Sequence, residues 1–471
     1  MKPIYKFFLL PALSIAAQSC NLMGSIDDIK PEHVVDDETV IIDAETAQME
    51  LNGVYSSVRS FEVCTFRTSM SVWAGTFAKT PLAGSNQFKG DAQNRSSITV
   101  DNASVENVYR GSYLVINNAN SFIANLTAAN PSDLSESRRD EMLGEARCLR
   151  ALFNLHLLRL FGEYYDDNSP YGIVLYETPV RSDTPKARSG VADCYKLIED
   201  DLEFAALYAP AFQYEHCMVS GLTAKALLAR MYLSRCEYDR AALIAGEVID
   251  EAFMAGYDLE FDFTSCFSSQ FNSSEMLFAP YVSQSSGELV NSTWQGTEPG
   301  QLLTTLASTM GEDGNYDPRY EATYIDISNT NQTAKYPLIV NGYQDVNSYY
   351  FMRLPEVYLI KAEAEARLGN YDEAREAMRP LNDRAGYAPD YVDRITDEDM
   401  LGMVLKNKLM ELSVENGEEW HDLVRYHREG GFESWSEIEK TRLPAFNQII
   451  LPIPRTAMAG NSLLVQNPDY Q

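Results

Sequence analysis

Residues 354–382 constrain the fold most tightly. Leu354, Tyr358, Ala362 and Ala366 fall on one helical face, and Glu356, Lys361 and Glu365 fall on another. Gly369-Asn370 then interrupts the pattern, and Tyr371-Asp-Glu-Ala374 starts a second helix. A chain with this spacing forms two helices joined by a tight turn, with alanines at the contact. Leu222 to Leu233 reads the same way, and Tyr238, Ala241 and Ala245 supply the partner helix. Between these two units, residues 253–350 carry Pro, Gly, Ser and aromatic residues without sustained helical periodicity. A stretch of that length inside a folded chain is expected to be functional or to hold short strands of its own.

The Gly-Asn-Tyr-Asp-Glu-Ala core, within Ala362 to Leu381, resembles a tetratricopeptide repeat, in which small residues let two helices approach. The second unit resembles it too, but Tyr238 and Tyr371 stand 133 positions apart, so the repeats are not a contiguous array. Two further pairs complete the pattern. Thr46 to Val58 with Val105 to Leu126 makes the first hairpin, and Glu141 to Phe161 with Val191 to Tyr208 the second. Helices at Met400 to Val414 and Glu419 to Arg428 are expected to pack behind the last hairpin. The expected fold class is therefore mostly α: four tetratricopeptide-like hairpins with long irregular insertions.

The amino terminus reads as an export signal. Lys2 and Lys6 precede an apolar run from Phe7 to Leu13, and Ala16-Ala17-Gln18-Ser19 leads to Cys20. The run is too short to span a bilayer. In a lipoprotein Cys20 becomes the acylated first residue, and each buried methylene contributes roughly 0.8 kcal/mol. The other reading is an ordinary cleaved signal with Cys20 incidental, since Ala17 stands where lipoproteins usually carry Leu. Asp27-Asp28 resembles the acidic signal that sends lipoproteins of the Bacteroidota to the outer leaflet. The expected organisation is a signal at 1–19, a lipidated tether at 20–40 and one domain at 41–471, with ligand-binding inserts at about 61–102 and 253–350.

Charge narrows the partners. With 68 acidic against 38 basic residues the net charge is -30, which argues against nucleic acid and against electrostatic adhesion to anionic lipid. A neutral oligosaccharide or a peptide suits this field better than a polyanion. Six cysteines remain beyond Cys20, none in a CxxC or zinc spacing, and they read mostly as small buried hydrophobes, though pairing stays open.

No GxSxG, P-loop, GxGxxG or HExxH pattern occurs, and none of the five histidines lies at i, i+4 from another. His156, on an apolar helix, reads as a packed core residue. Acid pairs such as Asp166-Asp167 or Glu312-Asp313 are expected by chance among so many carboxylates, and read as solvated loop faces. An enzyme, a cofactor and a bound metal are accordingly not expected. Arg147 and Arg150, nearly one turn apart, read as partners of acids on neighbouring helices, and Asp317-Pro-Arg319 as a turn.

Six blocks in order carry a wider resemblance: Gly144-Glu-Ala-Arg-Cys-Leu-Arg-Ala-Leu-Phe153 with Leu158-Arg-Leu-Phe-Gly162; Tyr195 to Leu202; Ala224 to Tyr232; Asp317-Pro-Arg319; Arg353-Leu-Pro-Glu-Val-Tyr-Leu-Ile360; and Pro452-Ile-Pro454 through Tyr470. Together they resemble the RagB/SusD family over nearly the whole mature chain. One departure is Lys406-Asn-Lys408, where relatives often show paired Arg after an acid; these positions read as structural. The resemblance implies a surface lipoprotein receptor, without enzymatic activity, that captures glycans, or in the RagB branch peptides. It sits over a SusC-like TonB-dependent transporter and holds ligand in the loops between its hairpins.

Sugar binding needs flat apolar rings and planar polar groups. The loop around Phe66 to Asn94 holds Trp73, Phe77, Phe88, Asp91 and Asn94, and the central insert holds Tyr281, Trp294, Tyr316 and Tyr343. Trp73 and Trp294 are the expected stacking platforms, with a local core role as the other reading of each. Arg67, Asp91 and Asn94 are the expected hydrogen-bonding partners. Two other functions stay open: peptide capture, which needs few aromatics, and a scaffold that binds only other surface proteins.

Overall fold

The computed structural model describes residues 40–59, 70–79, 98–129, 131–182, 184–281, 298–325, 335–336, 339–340, 343–344 and 349–471. Helix α1 (Ala44–Val58) starts at a capping box in which the Asp43 carboxylate accepts from the Thr46 amide. It pairs with α2 (Ala103–Ala128), whose cap Asn102 accepts from the Ser104 and Val105 amides. The second hairpin is α3 (Glu136–Phe161) with α4 (Val191–Tyr208), and the third α5 (Gly221–Ser234) with α6 (Tyr238–Met254). The fourth is α8 (Leu354–Leu368) with α9 (Tyr371–Ala385), each closed by a left-handed glycine, Gly369 and Gly386. Behind it lie α10 (Met400–Leu412) and α11 (Glu418–Glu429). All four expected hairpins are present.

The hairpins stack in chain order, and α6 packs directly on α8 although 99 residues separate them, 255 to 353. The intervening chain therefore leaves the stack after Met254 and returns at Leu354. Ala241, Ala245, Ala362, Ala366 and Ala374 are buried at the helix contacts, as the repeat pattern requires. One large apolar core runs through the first three hairpins into α8 and α11, and a smaller one joins α8, α9 and α10 around Leu359, Met378 and Val404.

Within the insertion the structure departs from the sequence reading, since Gln301–Met310 forms a helix, α7, where no helical segment is expected. Leu302, Leu303, Leu306, Ala307 and Met310 are its buried stripe. Short antiparallel strand pairs organise the rest of the described insertion. β1 (Phe77–Lys79) pairs with β3 (Glu298–Pro299), β2 (Met276–Phe278) with β6 (Met352–Arg353), and β4 (Ile339–Val340) with β5 (Tyr343–Gln344).

Two of the blocks that carry the family resemblance turn out to be nodes of a buried ion network. Arg353 donates to Glu415 at 2.7 and 2.8 Å and to Glu275 at 2.8 Å, and it also reaches Glu411. Arg319 is bidentate to Asp317, at 3.1 and 2.8 Å; Asp317 caps a short helix, Pro318–Tyr320, rather than forming a simple turn. Arg384 bonds Glu275 and Glu411, and Lys335 bonds Glu415 at 2.7 Å. Burial pushes the Glu411 carboxyl up, but Arg384, Arg353, Arg319 and Lys335 outweigh it and hold it at about 2. Lys408 is likewise buried against Glu363 and Asp422, and Lys406 against Glu439, which makes both structural.

Arg150 grips Asp201 on α4 through two 2.7 Å bonds. Among the described residues Arg147 forms no close ion pair, though its charge acts on Asp201 of α4; its guanidinium lies 3.9 Å from the Phe204 ring centroid. Cys148, Cys194, Cys217, Cys236 and Cys266 are free thiols, and all but Cys236 are buried. The Pro452 to Tyr470 tail folds back on the second hairpin, where Asn467 donates to the Phe161 and Leu451 carbonyls.

Candidate functional site

The two inserts meet at their roots. Arg59 is the C-cap of α1, before the first insert, and Tyr281 lies within the second. The Arg59 guanidinium lies 5.6 Å from the Tyr281 ring centroid. Further along, β1 and β3 pair with Phe77 opposite Pro299, and the Gly300 amide donates to the Thr76 carbonyl at 2.7 Å. A Cβ at Gly300 would sit 2.1 Å from the Gly75 carbonyl oxygen, so only glycine admits this approach. Each insert is thus tied to the other at two places.

An aromatic ladder climbs from this junction. Phe77 in β1 packs edge-on to Tyr324 at 5.8 Å; Tyr324 lies 5.1 Å from Tyr320, and Tyr320 lies 5.3 Å from Tyr316. Tyr320 and Tyr324 lie four residues apart in the consecutive helical segments Pro318–Tyr320 and Glu321–Ile325, and Tyr316 stands just before them. The Tyr320 hydroxyl shares a 3.0 Å hydrogen bond with Thr304 of α7. Phe77 is buried and Tyr316 is 36% exposed, so the ladder runs from core to solvent.

At the Arg59 side a cavity of about 220 Å³ opens, with Tyr55, Arg59, Glu215, Phe278 and Tyr281 in its wall. Tyr281 is 47% exposed. Apolar rings beside a guanidinium, a carboxylate and hydroxyls can hold a hydroxylated ring. The sequence reading missed Arg59, Glu215 and Phe278: Arg59 stands just before the first insert and Phe278 within the second, while Glu215 lies between α4 and α5, away from both.

Trp73 requires a correction. It lies in a helical turn at 70–74, is 3% exposed, and stacks on Trp420 at 4.9 Å with an interplanar angle of 15°. It is a core anchor and not a platform presented to ligand. The turn is held from below by Glu419, which accepts from the Ser71 hydroxyl and, at 3.0 Å, from the Val414 amide. Burial pushes the Glu419 carboxyl up to about 7, against these hydrogen bonds.

Tyr316 is described and exposed, at the outer end of the ladder. Arg67, Phe88, Asp91, Asn94, Trp294 and Cys20 lie outside the described residues, and of Tyr343 only the backbone, in β5, is described. The acid pairs are engaged by cations: Asp167 meets Arg235 at 2.8 Å, and Glu312 meets Arg394. His156 is half-buried on α3, with its ring 6.3 Å from that of Phe153. Among the described residues no group of three or more His, Cys, Asp or Glu is placed to hold a metal.

Comparison with known proteins agrees with this architecture. A family model described as SusD family matches residues 291–470, and one described as starch-binding associating with outer membrane matches 27–233. SusD-like protein P2 of Formosa agariphila is 25% identical over 487 residues, covering 90% of this chain and 92% of that protein. Among solved structures, a putative sugar binding protein from Bacteroides vulgatus is 22% identical with a TM-score of 0.74, covering 92% of this chain and 100% of its own. A laminarin binding SusD-like protein is 21% identical with a TM-score of 0.71, covering 91% and 100%. With the two family models matched in order over residues 27–233 and 291–470, the chain belongs to the SusD/RagB family.

Proposed function

We propose that this protein captures oligosaccharides at the cell surface and passes them to a SusC-like TonB-dependent transporter. The observation that carries this reading is the joining of the two inserts by β1 and β3, together with the exposed rings of Tyr281 and Tyr316 within the second insert. The names of the laminarin-binding and sugar-binding relatives support a glycan as the ligand. Trp294, Asp91, Asn94, Arg67 and Tyr343 are proposed to complete the site from within the inserts. Binding and release, without chemistry on the ligand, is the proposed role.

The proposed attachment is an acylated Cys20 with residues 21–40 as tether, following a signal at 1–19. Residues 41–471 are proposed as one ligand-binding domain. Native gels containing plant, host and microbial polysaccharides test the central step. Retardation by one glycan class is expected; free migration through every glycan, with retention of a peptide ligand, would contradict it.

A further inference from the structure

A second cleft opens between α2, residues 174–180 and the carboxy-terminal tail, and it shares no lining residue with the insert roots. Its volume is about 290 Å³, close to the roughly 300 Å³ at which small-ligand sites begin. Tyr109 and Tyr113, one turn apart on α2, have centroids 4.9 Å apart, and Tyr176 stands edge-to-face with Tyr113 at 5.8 Å. Ile116, Val174 and Leu464 complete the apolar wall. The corner is built rather than accidental. The Tyr113 hydroxyl is fixed by the Val174 backbone, donating to its carbonyl at 3.1 Å and lying 3.2 Å from its amide.

The polar groups at the cleft are few and uncharged. The Asn117 side-chain oxygen accepts from the Val180 amide at 2.7 Å, which leaves its NH2 without a protein partner among the described residues. The Tyr176 hydroxyl is likewise unpartnered there and borders the cleft. Among the described lining residues there is no Asp, Glu, Lys or Arg, in a chain whose net charge is -30. A cation finds no carboxylate in the wall, and the nearby Lys186 ammonium, 5.3 Å from the Tyr176 ring centroid, already donates to the Leu175 carbonyl. A neutral ligand with one flat apolar face and several hydroxyls meets every feature of the wall.

We infer that this cleft is a second sugar site, separate from the inserts, which takes one neutral pyranose unit against the Tyr109, Tyr113 and Tyr176 rings. The Asn117 NH2 and the Tyr176 hydroxyl bond its hydroxyls. A glycan long enough to reach both sites would be held at two points, which raises its apparent affinity by far more than either contact alone. The cleft does not depend on the insert site for its chemistry, so each can be tested while the other is disabled.

The test is saturation-transfer NMR on the whole mature protein with methyl β-D-glucopyranoside and methyl β-D-galactopyranoside, with p-cresol as the apolar control. Val180 is 43% exposed at the rim, so Val180→Trp fills the cleft without opening the core. The expected result is weak binding of at least one pyranoside that survives Tyr281→Ala/Tyr316→Ala and falls roughly tenfold with Val180→Trp or Tyr176→Ala, at unchanged melting temperature. Pyranoside binding that Val180→Trp leaves intact would overturn the assignment. So would binding of p-cresol alone, or no binding at all.

Discussion

Cys236 stands at φ 59°, in the turn between α5 and α6, at the place where the α8–α9 turn has Gly369 at φ 81°. A side chain in the left-handed region costs about 1–2 kcal/mol, and glycine returns roughly 0.4–1 kcal/mol of that as backbone entropy. Cys236→Gly is therefore expected to stabilise the protein by about 0.5–1 kcal/mol, read as a higher urea midpoint; a lower midpoint would show that the thiol's packing matters more. Trp73→Ala should cost about 3–5 kcal/mol, because it empties the space against Trp420. If the variant instead unfolds at the wild-type urea concentration, the Trp73 contact is not structural. Glu419 gives a pH signature. Its carboxyl is raised from 4.5 to about 7, so the fold holds a proton that the unfolded chain releases. The stabilisation is complete below pH 4.5 and is lost as pH rises through about 7, a difference of roughly 3 kcal/mol. Melting temperatures of Glu419→Gln should fall less than wild type between pH 5 and pH 8; parallel curves would contradict the assignment.

At the scale of elements, the buried charges decide how the insertion is fastened to the stack. Arg353 opens α8 while bonding Glu275, just before β2, and Glu415 in the α10–α11 turn. Removing one partner of such a cluster leaves uncompensated charge indoors, typically at about 3–5 kcal/mol. Arg353→Met is expected to lose at least that much in urea denaturation, whereas Lys196→Ala, which breaks an exposed pair with Asp200, should leave the urea midpoint close to wild type. Equal effects would mean the network is not a fastening. The hairpins were legible in the sequence because their alanine and tyrosine spacing repeats at helical period and Gly369 marks a stop. α7 was not seen, although Leu302, Leu303, Leu306, Ala307 and Met310 follow the same period, because ten residues between Gly300 and Gly311 read as loop. The ion network was invisible for a different reason: Glu275, Asp317, Arg353 and Glu411 are scattered along the chain and meet only once the stack is built.

Over the whole molecule, a stack of helices supplies rigidity and the inserted segments supply the surface. The sequence pointed to the two insert regions as ligand-bearing, and the structure joins the two inserts through β1 and β3. Individual residues were harder to read. Trp73 looked like a free loop aromatic because nothing local showed that Trp420, 347 positions later, would cover it. Tyr316 is exposed at the outer end of a ladder whose tyrosines recur every fourth residue. The most direct test of the account is calorimetric titration of the glycan that retards the wild-type protein in gels, into wild type, Gly300→Ala and Tyr281→Ala/Tyr316→Ala. A Cβ at residue 300 would collide with the Gly75 carbonyl and force β1 from β3, and the tyrosine pair removes the exposed rings. The account predicts that affinity falls on the order of tenfold or more in both variants, with Tyr281→Ala/Tyr316→Ala melting close to wild type and Gly300→Ala melting lower through the strain at β1 but still folded. Unchanged affinity in both, in folded protein, would contradict a ligand site at the junction of the inserts.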